Sequence, residues 1–295
     1  MDVQFDESTI PKTVPVTKNW HMHPYPSISP TRPELSASGR NIVITGGGTG
    51  IGNAIAVGFA QAGAQSITIL GRRLEKLEAG VNPIKNAIPA GKTTQIYHYA
   101  VDLVSREETE KVFQAIASQI PGGKIDVLVS NAGSLPIIAP AAKATDEQLL
   151  DSFTGQVVTA MHAIQAFIPL AGPDPIVLST NTCIAHLPAI PGYALYAATR
   201  AAPARLTDYL QKENPGMRII SVHPGYISTE GNAYDSRATD SVPKKPIWLA
   251  SPEAEFLKGK FVWSNWDVDE LIEKADKIKN SPLMTFLLDG SDNNL

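Results

Sequence analysis

The chain has 295 residues, 43% apolar and 18% charged, with a formal net charge of −4 and a pI near 5.9. That length buries a sizeable core in one domain plus appendages, and mild acidity with no polybasic stripe points to a small-molecule partner, with no nucleic acid and no membrane expected. A single cysteine, Cys183, excludes an internal disulfide and a multi-cysteine metal site, so no metal is expected; no basic-then-apolar leader and no window of ~18 apolar residues is present, so the chain reads as cytoplasmic.

Residues 1–40 hold Pro11, Pro15, Pro24, Pro26, Pro30 and Pro33 among polar residues, too many fixed φ angles and missing donors for regular structure. This N-terminal arm is either draped over the domain, with Trp20, His21, His23 and Tyr25 as anchors, or a flexible tail with solvated histidines. From Asn41 short β-branched runs alternate with segments of helical period, which predicts an α/β domain over 41–264 with a doubly wound parallel sheet. Strands are expected near 41–45, 66–70, 94–99, 126–130, 175–180, 217–222 and 260–264. Helices are expected over 53–62, 106–120, 146–170 and 193–211. Residues 265–295 read as a C-terminal helical extension with one amphipathic helix over 268–279. The segment 106–120 carries Val112, Phe113, Ile116 and Ile120 at helical spacing and glutamates in its first turn, so it reads as a packing helix.

The first strand ends in Thr45-Gly46-Gly47-Gly48-Thr49-Gly50-Ile51-Gly52, and a helical run follows at once. Glycines allow a pyrophosphate to approach the backbone, and a helix N-terminus presents free N–H groups with partial positive charge. The Thr-Gly-x-x-x-Gly-x-Gly spacing resembles the short-chain dehydrogenase/reductase fingerprint, and the resemblance runs from about Asn41 to Val262. It implies a Rossmann domain with Thr45, Gly46, Gly48, Gly50, Ile51 and Gly52 at the cofactor. It further implies that Asp102 and Leu103 meet the adenine, that Asn131, Ala132 and Gly133 brace the sheet against the cofactor, and that Pro224, Gly225, Ile227 and Thr229 embrace the nicotinamide amide. The second strand ends Leu70-Gly71-Arg72-Arg73, with glycine where an acid would bind a ribose 2′-hydroxyl; Arg72 suits a 2′-phosphate, so NADP is expected over NAD. The alternative is that both arginines are an ordinary solvated helix start.

In this family a tyrosine exchanges a proton with the substrate oxygen and a lysine four residues on supports it and holds the ribose. A serine polarises the carbonyl, and an asparagine relays protons. A tyrosine of pKa ~10 needs a fixed neighbouring cation for this work, and four-residue spacing on a helix stacks the two side chains on one face. Here the resemblance assigns Tyr196 as the tyrosine and Arg200 in place of the lysine, with the ribose also on these two residues. Thr182 or Cys183 falls at the serine position, and Thr182 is chosen because it keeps a hydroxyl donor. Gln156 falls where the asparagine would lie. Arginine keeps its charge but cannot exchange a proton.

The resemblance therefore implies an NADP(H)-dependent oxidoreductase interconverting a ketone and a secondary alcohol. The substrate expected is a mainly apolar, moderate-sized molecule of specialised metabolism. The altered set leaves open a redox-neutral enzyme (cyclase, dehydratase or isomerase) or a binding protein on the same scaffold. A lid over 226–245, facing Leu135, Pro136, Ile137 and the His186-Leu187-Pro188 turn, is the expected substrate region. The leader Tyr25 to Leu35 is similar to that of a fungal branch of the family. The family's usual homodimer or homotetramer would use the helices over 146–170 and 193–211, although Pro203 is expected to kink the second.

Overall fold

The protein is described from a computed structural model, which covers residues 16–134, 137–225, 227 and 244–287. Its elements, in chain order, are β1 (Asn41–Thr45), α1 (Gly50–Gln61), β2 (Ser66–Gly71), α2 (Leu74–Asn86), β3 (Gln95–Ala100), α3 (Arg106–Gln119) and β4 (Ile125–Ser130). They continue with α4 (Asp146–Phe153), α5 (Thr159–Phe167), β5 (Ala171–Thr180), α6 (Ala194–Glu213), β6 (Arg218–His223), α7 (Lys245–Leu249), β7 (Phe261–Trp263), α8 (Val268–Glu273) and α9 (Ala275–Lys279). The central strands are β-branched runs buried on both faces, such as Ile42, Val43 and Ile44 in β1, which is how strands read inside a parallel sheet covered on both sides.

The seven strands pair in parallel in the order β3-β2-β1-β4-β5-β6-β7. The order reverses between β1 and β4, so a crevice opens at their carboxyl ends, where doubly wound sheets bind ligands. One face of the sheet packs Ile55 and Phe59 of α1 and Leu77 and Ile84 of α2. The other packs Phe113 and Ile116 of α3 and Ile164 and Phe167 of α5. Ser105 caps α3 by accepting from Glu108 N at 3.3 Å. No helix among the described residues is long and apolar enough to cross a membrane.

Four boundaries differ from the expectations. The helix foreseen over 146–170 is interrupted by a π-helical turn at Thr154–Val158 and ends in a 3-10 turn at Ile168–Leu170. Gly155 lets this turn approach Ser134 closely, since a Cβ there would lie 2.7 Å from Ser134 Oγ, and Gln156 within the turn is only 2% exposed. β5 begins at Ala171, because Ala171 pairs with Ile125 across an irregularity that accommodates the donor-less Pro173 and Pro175. The single helix foreseen over 268–279 is two, separated at Lys274 with φ −100° and ψ 9°; Lys274 Nζ donates to Val16 O at 2.6 Å. Pro203 is buried inside α6 and does not divide it.

The described part of the arm lies against the C-terminal segment. Trp20 forms an antiparallel bridge with Trp266, Arg32 makes a two-pronged contact with Glu253 at 2.8 and 3.2 Å, and Lys18 N and Asn19 N donate to the Glu270 carboxylate.

Candidate cofactor and active site

The glycine-rich turn sits at the reversal point of the sheet. Gly46 has φ +65°, a left-handed value that favours glycine. A Cβ on Gly52 would collide with the Gly46 carbonyl and lie 2.7 Å from Asn131 Nδ2, so only glycine lets the first turn of α1 close on the strand end. Thr49 caps α1 without a side-chain hydrogen bond, and no acid occupies the first turn. The residues present thus fit a pyrophosphate, because uncapped N–H groups of a twelve-residue helix face the crevice mouth.

Thr45 ties β1 to the next turn, since its hydroxyl accepts from Asn131 N at 2.9 Å and Ala132 N at 3.0 Å. Asn131 Nδ2 in turn donates to Thr45 O at 3.1 Å. These two residues therefore act on the sheet, and the second shapes the wall of the crevice. Asn53, which motif reasoning passed over, holds the turn from the other side by donating to the Gly47 and Gly80 carbonyls at 3.0 and 2.9 Å. Its only sequence signal is its place directly after Gly52.

Arg72 is exposed directly after β2, and Arg73 precedes α2. Asp102 is exposed and accepts from Val104 N at 3.1 Å in a local turn. Leu103 is buried, and its carbonyl accepts from His162 Nδ1 at 2.9 Å.

Around Gly133 the structure brings together two of the four catalytic candidates. A Cβ on Gly133 would lie 2.6 Å from Gln156 Oε1 and 2.8 Å from Arg200 Nη2, so these side chains meet over one glycine. Arg200 Nη1 donates to Thr180 O at 3.2 Å, and its guanidinium carbon lies 5.6 Å from the Tyr196 ring centroid. Tyr196 and Arg200 thus share one face of α6. Gln156 Nε2 donates to Ser134 O at 2.6 Å. Thr182, 8% exposed, accepts from Ile184 N at 3.4 Å at the start of the short turn Cys183–Ala185, which packs on α6. Gln156 Oε1, Arg200 Nε, Thr180 Oγ1 and Asn181 Nδ2 are buried with no hydrogen-bond partner among the described residues, a pattern that marks a place for a ligand or ordered water.

A family model described as short chain dehydrogenase matches residues 40–240. The chain belongs to the short-chain dehydrogenase/reductase family. A short chain dehydrogenase/reductase of Claviceps purpurea is 31% identical over 89% of this chain and 90% of its own length. Another, from Aspergillus aculeatus, is 29% identical over 89% and 92%. Among solved structures, a dehydrogenase/reductase from Sinorhizobium meliloti matches with TM-score 0.70 and 25% identity over 81% of this chain and 97% of that one. A short chain dehydrogenase from Burkholderia cenocepacia, solved in complex with NADP, matches with TM-score 0.68 and 23% identity over 80% and 99%. The Rossmann-like fold and the fungal affinity of this short-chain dehydrogenase/reductase are in keeping with its fingerprint and leader.

Two histidines of this family member sit beside the site as structural groups. His223 is buried at the end of β6, and its Nδ1 accepts from Cys183 N at 3.3 Å; burial, helped by His186, pushes it down to about 3. His186, in the turn expected to face the substrate, accepts from Trp263 Nε1 at 3.0 Å within an aromatic cage of Phe261, Trp263 and Phe286. Burial holds it at about 4, so it is a neutral packing group. Pro224, Gly225 and Ile227 are described, with Ile227 buried. Thr229, Leu135, Pro136 and most of the segment 226–245 lie outside the described residues.

Proposed function

We propose that this short-chain dehydrogenase/reductase interconverts a ketone and a secondary alcohol with NADP(H), on a mainly apolar substrate of moderate size. The observation that carries the reading is Tyr196 and Arg200 on one face of α6, with the guanidinium 5.6 Å from the ring and beside the unpaired Gln156 Oε1. A bound nicotinamide supplies or accepts the hydride. In the reductive direction the Tyr196 hydroxyl gives its proton to the substrate oxygen, and Thr182 donates a hydrogen bond to the same oxygen. Arg200 contributes a fixed positive charge one helical turn from Tyr196 and donors for a ribose, while Gln156, anchored on Ser134, presents its free carbonyl to water. Arg72 supports NADP as the cofactor, since an exposed guanidinium after β2 suits a 2′-phosphate. Leu149, Leu150 and Phe153 on α4 and Tyr209 on α6 are exposed by 40% to 67%, which supports a homodimer formed through these helices.

A second reading, redox-neutral chemistry on the same scaffold, is favoured by one observation. Arg200 cannot pass a proton onward as a lysine would. The experiment that separates the two incubates the protein with a panel of aliphatic and aromatic ketones and follows NADPH consumption. Tyr196→Phe is expected to cut turnover by on the order of 10³-fold while NADPH affinity stays within about threefold, since only a proton-transferring hydroxyl is removed. A product that forms without NADPH consumption would establish the redox-neutral reading.

A further inference from the structure

The segment Ser264 to Asp267, directly after β7, touches both the cofactor side of the molecule and the arm. On the cofactor side, Ser264 N donates to His223 O at 2.8 Å, fixing the peptide that leads into Pro224. Gly225, with φ +92°, packs against the Asn265 amide, so that a Cβ there would lie 3.4 Å from Asn265 Oδ1. On the arm side, Asn265 and His21 bond reciprocally: His21 N donates to Asn265 O at 2.8 Å, and Asn265 Nδ2 donates to His21 O at 2.9 Å. His21 Nε2 meets Asp267 Oδ2 at 2.7 Å, and its ring stacks on Tyr25 with centroids 3.6 Å apart. The Tyr25 hydroxyl donates to Trp266 O at 3.3 Å and accepts from Val268 N at 2.8 Å. Fully buried Lys245 donates its amine to Trp266 O as well.

We infer that the N-terminal arm positions the nicotinamide half of the cofactor site, with Asn265 as the positioning residue that transmits its hold from His21 to the Pro224–Gly225 turn. The inference rests on the proposed function in taking that turn as the nicotinamide contact. Its physical basis is that the Asn265 amide donates to the arm and also lies in van der Waals range of Gly225, so one side chain spans the arm and the turn. The adenine half, on Arg72 and Asp102 beyond β2 and β3, makes no hydrogen bond to the arm among the described residues. A loosened arm therefore weakens one half of the dinucleotide and leaves the other.

The test compares binding of NADPH and of 2′,5′-ADP, which lacks the nicotinamide, to the full-length protein by calorimetry. Asn265→Asp keeps the shape but loses the donor to His21 O, and it is expected to weaken NADPH roughly tenfold, the size of one lost hydrogen bond, with 2′,5′-ADP unchanged within about twofold. A merely structural role would lower the melting temperature and move both ligands together or neither, and either result overturns the inference. Should Asn265→Asp fail to fold, His21→Gln, which removes the contact to Asp267 and the stack on Tyr25, must show the same split at roughly threefold; no split overturns it. A wild-type protein that binds neither ligand instead overturns the NADP reading on which the inference stands.

Discussion

Arg200 beside Gly133 and Asp267 beneath the arm are both charges drawn away from solvent, yet their surroundings differ. Asp267 is enclosed by partners: its carboxylate accepts from His21 Nε2 and Glu270 N, and its backbone N–H donates to Thr17 Oγ1. Burial pushes its carboxyl up, but the Glu270 and His21 hydrogen bonds outweigh that and hold it below the ordinary carboxylate range. Among the described residues Arg200 donates to a single carbonyl, that of Thr180, and its Nε is unpaired, as is Gln156 Oε1. The arm region also leaves Ser264 Oγ and Trp266 Nε1 without partners, so the contrast lies in how charge is balanced and not in the number of bonds. A charge with its partners in place holds a fold together, whereas a cation short of partners is available to a ligand.

The largest effect that tests this contrast is expected at Arg200. Arg200→Ala should lower kcat/KM by roughly 100-fold, as loss of a charged group at a reacting centre does, whereas Arg200→Lys should stay within about tenfold. Neither should shift the melting temperature by more than about 3 °C, because the side chain holds only one carbonyl. Steady-state kinetics with NADPH and thermal melts on the three proteins decide it. Wild-type activity in Arg200→Ala would show that the residue merely packs, and the two charges would then have the same kind of role.

A smaller, graded effect is expected from acid. His186 and His223 are held at about 4 and about 3 by burial, against an ordinary 6.5. The unfolded chain therefore takes up protons that the fold refuses. Their contribution to stability is complete above about pH 6.5 and is lost as pH falls toward 4 and 3. Asp267, whose folded carboxyl is lowered, adds to the loss at still lower pH. Urea midpoints should thus fall steadily between about pH 7 and pH 4.5, and more shallowly in His186→Phe. A flat profile across that range would show that these rings are charged or solvated.

Much of the fold was legible because β-branched runs such as Ile42-Val43-Ile44 and glycines such as Gly46 and Gly52 carry their structural reason locally. That Tyr196 and Arg200 share one helix face was legible for the same reason, since they lie four residues apart. The rest depended on contacts distant in sequence. Nothing near His21 announces Asp267, which is 246 residues away, and nothing near Gln156 announces Ser134, whose carbonyl it meets through a π-helical turn that no apolar period encodes. The proline-rich spacing of the arm argued against regular structure, and its described residues form two short 3-10 turns and one isolated bridge. What binds them is a set of side chains on the far end of the chain.

The most direct measurement is the pair of dissociation constants for NADPH and NADH at fixed salt, in the wild-type protein and in Arg72→Ala. NADPH is expected to bind at least about tenfold tighter to the wild type, and Arg72→Ala is expected to close most of that gap by weakening NADPH alone, since a charge-assisted contact to a 2′-phosphate is removed. Equal constants in the wild-type protein, or a preference for NADH that Arg72→Ala leaves unchanged, would contradict the assignment of the crevice to NADP.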